Sequence, residues 1–208
     1  SGTNSLGSLT SASVTGGTNT ITGAATVTTV NGGATTVGGV ATITTLTAGT
    51  LNLNGATASI GTLTAGTINL GTTALTVDSG TFGGLLAGAN GSLIKATSGI
   101  LTLSGANTYG AGTTINLGTL IVGNVGSLGS GAVTVASGAT LNLNNLGVAN
   151  AITVATGGTI LGGPSAASVT TTGSSTVSTV LTGSDGLSKS DGGELTLTTP
   201  NFFTGAVE

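Results

Sequence analysis

The chain has no histidine, cysteine, methionine or tryptophan, only two prolines, and charged side chains at just 3% of its 208 positions. Each absence removes a class of function. Without cysteine there is neither a disulfide nor a thiolate metal site. Without histidine as well, Ser-His-Asp and Cys-His catalysis and the usual zinc ligand sets are excluded. Two lysines against five carboxylates leave no basic surface to neutralise phosphates, so nucleic acid is not an expected partner. No apolar run approaches the ~18 residues of a membrane-spanning helix. The chain shows neither an initiating methionine nor a leader, and is expected to be a processed product or a piece of something longer.

What is abundant is glycine, 40 residues, with threonine, serine and asparagine filling most other polar positions. Collagen would need glycine at every third position with much proline, and a disordered linker would lack a regular apolar pattern. Here 38% of residues are apolar, and they alternate with small polar ones. Bursts such as "TNTITG" (Thr18 to Gly23), "ATVTTV" (Ala25 to Val30), "GTLNLNG" (Gly49 to Gly55), "GILTLSG" (Gly99 to Gly105) and "GATLNLN" (Gly138 to Asn144) set apolar residues two apart. That period sends them to one face of a strand, and the separating Gly, Asn and Ser predict turns. Glycine and β-branched residues throughout disfavour helix. Around Thr81 to Asn90, the stretch "GTFGGLLAGANG" (Gly80 to Gly91) breaks the rhythm and predicts a loop.

Internal repeats decide how the strands combine. "AGTLNLN" at Ala48 returns as "AGTINLG" at Ala65, a spacing of about 17 residues that suits one turn of a solenoid. A longer repeat aligns Leu93 to Gly112 with Leu187 to Glu208 without a gap. It matches Lys95 with Lys189, Leu101 with Leu195, Leu103 with Leu197, Asn107 with Asn201 and Tyr109 with Phe203. The offset corresponds to roughly five turns of ~19 residues. The expected fold is all-β, a parallel β-helix of about ten coils, forming a rod of order 50 Å with strands ~4.8 Å apart. One solenoid segment is expected over residues 1–208: irregular short-strand coils over 1–92, a first repeat unit over 93–186, and a truncated second over 187–208.

The pattern of Leu, Lys, Gly, Leu-Thr-Leu-Ser-Gly, Asn-Thr-Tyr and Gly-Thr-Leu between Leu93 and Gly123, and its truncated copy from Leu187, resembles the autotransporter-associated β-strand repeat. The resemblance covers about a quarter of the chain. It implies a right-handed β-helix at the surface of a bacterium or outside it, and brings no catalytic residue or cofactor with it. In the second copy "TTPN" replaces "SGAN".

The function expected is structural and non-enzymatic: an adhesin stalk, surface coat or self-assembling fibre, with head-to-tail stacking as the partner interaction. Surface glycans are a possible ligand class. A sugar-cleaving carboxylate pair from Asp185 and Asp191, or Asp191 and Glu194, is outweighed by the reading of these as solvated turn residues, because aromatic sugar platforms are lacking. "SDGG" is too poor in oxygen ligands for a calcium site. Glycine pairs at Gly32, Gly38, Gly157 and Gly192 precede no helix and read as turns, not phosphate loops. Asn90-Gly91-Ser92 fits a glycosylation acceptor, as one match in so Ser- and Asn-rich a chain does by chance.

Sets of Thr-x-Thr at Thr20, Thr26, Thr42, Thr45, Thr62 and Thr196 resemble ice-binding ranks, but they recur at no fixed interval. Outward strand residues in a chain that avoids charge are the simpler expectation. Tyr109 and Phe203 are expected to pack at a corner of the coil, with Phe82 and Phe202 as candidates for exposed anchors.

Overall fold

The computed structural model describes residues 3–55, 57–162, 169–178, 182–183, 187–190 and 192–207, without the side chains of Ala12, Thr182, Gly183 and Phe203. Among the described residues every regular element is a β-strand, and every strand pairing is parallel. Alternating apolar and β-branched residues favour the pleated conformation, and the chain satisfies its backbone by laying each coil on the one before.

Each coil has three extended stretches. In the strands Ala25–Val37 and Ala41–Leu53, 13 residues each, one continuous element bends round two corners and serves all three sides. On the first side, Leu9 pairs with Ala25 and Ala25 with Ala41, and the column climbs through ten successive pairings to Leu187. At ~4.8 Å per level this is a rod about 50 Å long. The step from the first "AGT" burst to the second is one coil, with Leu51 on Ile68 and Asn52 on Asn69.

The coil length is not constant. The path from Leu9 to its partner Ala25 is shorter than the path from Leu93 to its partner Thr113. Strands stay in register because the additional residues are taken up between them. The third side changes most. In the two coils after Thr108–Tyr109 it has no strand, yet Asn107 N–H still donates to Gly126 O at 3.0 Å and Ser130 N–H to Tyr109 O at 3.0 Å, and strands return on this side at Thr182–Gly183 and Phe202–Phe203.

The core is a set of inward columns. On the second side Leu46, Leu63, Leu101, Leu120, Leu141 and Ile160 are fully buried, each such side chain contributing about 1.5–3 kcal/mol. At one corner the column is glycine. Gly33, Gly49, Gly66, Gly84 and Gly105 follow one another, and a Cβ at Gly66 would lie 2.5 Å from Gly49 O. Gly66 also has φ +105°, a conformation L side chains rarely adopt.

Two expectations need correction. Residues 81–90 are not a free loop: strand Ala74–Phe82 ends there, Leu85–Gly88 is a strand, and Gly83 and Gly84 make the corner between them. Phe82 is not an exposed anchor but fully buried, two residues beyond Gly80, which supplies no side chain to its inward column. Phe202 is 70% exposed.

Candidate functional site

The repeat motif puts its polar residues inside. Lys95 occupies an inward column between Val77 and Ile115, fully buried, and its ammonium donates to the carbonyl of Thr97 at the adjoining corner. Burial pushes its pKa below the ordinary 10.5, with Asp78 pulling the other way. Leu101 and Leu103 are buried on the second side.

Asn107 ties three coils together. Its Oδ1 accepts from Leu86 N–H in the coil below at 2.9 Å, and its Nδ2 donates to Ser127 O in the coil above at 2.6 Å. Tyr109, buried at the end of the third side, has its hydroxyl 2.6 Å from Thr113 Oγ1. Burial raises the Tyr109 pKa above its ordinary 10.0, and the Thr113 bond lowers the shift only in part.

In the second copy, Lys189 stands in the same inward column as Lys95, reached through Ile115, Val135, Val154 and Thr171. On the second side the correspondence slips. The column above Leu101 runs through Leu120, Leu141, Ile160 and Val177 to Leu197, whereas the sequence repeat matches Leu101 with Leu195. A slip of two residues preserves which face points inward, as the strand period requires. Leu195 is half-buried and Leu197 39% exposed. Asn201 donates through Nδ2 to Thr199 O at 2.8 Å, and Phe203 pairs by its backbone with Gly183.

Sequence reasoning missed Asn150, which is buried and donates from Nδ2 to Gly129 O at 3.0 Å and Gly131 O at 2.8 Å. Its signal is an asparagine shortly before a strand, as with Asn107. The outward threonines expected from the sequence stack into two hydroxyl ladders that run the length of the rod. On the first side the outward column holds Thr10, Thr26, Thr42, Ser59 and Thr76, then Ile94, then Thr114, Thr134, Thr153, Thr170 and Ser188. The second side carries Thr29, Thr45, Thr62 and Ser79 below Ile100, and Thr119, Thr140, Thr159, Thr176 and Thr196 above it. Both ladders are interrupted by isoleucine in the same coil.

Among the described residues no group of three His, Cys, Asp or Glu gathers to hold a metal. The pairs involving Asp185 and Asp191 lie outside the described residues. Glu194 is exposed and Asp78 half-buried, several coils away. Among the described residues no helix is long and apolar enough to cross a membrane.

The segments that carry Lys95, Asn107 and Tyr109, and their second copy, match the model of the passenger-associated-transport-repeat family over residues 93–122 and 187–208. Over about a quarter of its length, then, the chain is similar to passenger-associated-transport repeats. No curated protein and no solved structure gave a match to the chain. The passenger-repeat family and the stacked parallel coils together fit an autotransporter passenger, and the family implies a location at the cell surface or outside it. The buried lysine, asparagine and tyrosine of the first repeat serve the coil itself: each bonds to its own coil or a neighbouring one.

Proposed function

We propose that this chain is a non-enzymatic, mechanical part of an extracellular passenger, a stalk that holds other material away from the cell. The observation that carries the reading is the unbroken parallel stack of the first side through ten successive pairings. Tension along the chain must strip one fully paired coil from the next, and each coil gives up both its backbone ladder and its share of buried leucine, isoleucine and valine. Outward polar groups are hydroxyls and amides, which keep the surface hydrated without stacking like charges one strand spacing apart.

The test combines two measurements. Antibody labelling of intact producing cells is expected to find the segment outside, and single-molecule stretching of the purified chain is expected to show stepwise loss of coils. A single low-force event, or hydrolysis of a polysaccharide that disappears on substitution of one carboxylate, overturns the reading.

A further inference from the structure

The first side carries a second threonine column beside its ladder in the amino-terminal coils. Thr10, Thr26 and Thr42 stand over one another, and Thr28 and Thr44 stand over one another two residues along. All five are exposed. The spacing follows from strand geometry: ~4.8 Å between levels and ~6.6 Å between residues i and i+2.

Three observations characterise this array. The five hydroxyls make no hydrogen bond to the described residues, whereas those of Thr22, Thr47, Thr64 and Thr97 are spent on backbone carbonyls of the neighbouring coil. A shallow open depression lies along the two columns, with Ser11 and Val27 also lining it. Neither a charged nor an aromatic side chain lines that depression.

We propose that this array binds an ice surface. A lattice of hydroxyl and methyl groups that repeats in two directions selects a partner that repeats in two directions, and its lack of charge suits an uncharged partner. Ice is the hydrogen-bonded solid whose oxygen rows repeat on a scale of a few ångströms both ways. β-Branched side chains are stiff about χ1, so ordering them on contact costs little. A sugar polymer would normally meet an aromatic platform, and none is here. In these coils the repeat length is constant, so Thr10, Thr26 and Thr42 recur at one interval, and the variation that breaks it comes only with the later coils, where Ser59 follows Thr42.

The experiment measures ice recrystallisation and incorporation into a growing ice hemisphere with the whole chain, its Thr26→Lys and Thr28→Ser variants, and Thr153→Lys as control. Thr153 belongs to the same ladder but has Ala155 in place of a second threonine. Wild type and Thr153→Lys are expected to act equally, Thr28→Ser to weaken, and Thr26→Lys to lose on the order of tenfold, with circular dichroism unchanged. Inactivity of the wild type, or equal activity of Thr26→Lys, overturns the proposal. So does binding to a neutral glycan that Thr26→Lys abolishes while ice growth is unaffected by any variant.

Discussion

The Tyr109 hydroxyl lies 2.6 Å from Thr113 Oγ1, and so fastens the third side of one coil to the first side of the next. Thr113 occupies an inward column whose neighbours are Leu93 and Val133, and Tyr109 is what makes a hydroxyl tolerable there.

Tyr109→Phe is therefore expected to cost about 1–2 kcal/mol at neutral pH, the penalty of a buried hydroxyl left without its partner. The pH dependence has a definite sign. The folded state keeps the phenolic proton above the pH at which the unfolded chain, with its ordinary value of 10.0, releases it. Stability attributable to Tyr109 is thus full below pH 10 and falls as pH rises beyond it. Urea unfolding of wild type and Tyr109→Phe between pH 8 and roughly 11 should show the difference between them shrinking above pH 10.

Corner glycines make a sharper contrast. At Gly66 a Cβ would sit 2.5 Å from Gly49 O with φ at +105°, while at Gly83 it would meet nothing within 4 Å. Gly66→Ala is expected to destabilise by about 2 kcal/mol or more through strain and backbone shift. Gly83→Ala should stay within about 0.5 kcal/mol of wild type or gain slightly from a stiffer unfolded chain. Thermal melts of the two variants check this directly.

The scarcity of charge can be tested by adding it. Thr134 and Thr153 are exposed neighbours in adjacent coils of the first ladder. Thr134→Lys and Thr153→Lys should each be near neutral, and the double variant should fall short of additivity by roughly 0.2–1 kcal/mol of repulsion. The deficit should shrink at about 1 M salt, where the screening length drops to about 3 Å. Thr134→Lys with Thr153→Glu should show no deficit.

Trypsin offers a probe of the inward lysines. Lys95 is fully buried, Lys189 half-buried. Under native conditions cleavage is expected after Lys189 first, with Lys95 cut only on global unfolding. Mass spectrometry of a time course decides it; early cleavage after Lys95 would show that its coil opens locally.

Much of the fold was legible because the strand period and the repeat offset are both local arithmetic. Leu51 on Ile68 follows from two similar bursts set one coil apart, and Lys95 beneath Lys189 from a repeat whose offset spans five coils. What was hidden depended on coil lengths that vary. Thr26, Thr42 and Ser59 line up although their spacing changes, and no fixed period finds them. The same variation placed Leu197 above Leu101 in place of Leu195. Phe82 was misjudged because its burial is set by the stack, where Leu103 of the next coil lies over it, and not by its own stretch of sequence.

Variation in coil length has a consequence for ancestry. An indel at a vertex leaves every flat run untouched, so lineages of such a chain are free to drift in perimeter while the stacking order persists. Gains and losses should therefore concentrate at vertices such as the span from Ala96 to Gly99, and related chains should share columns more faithfully than they share spacing.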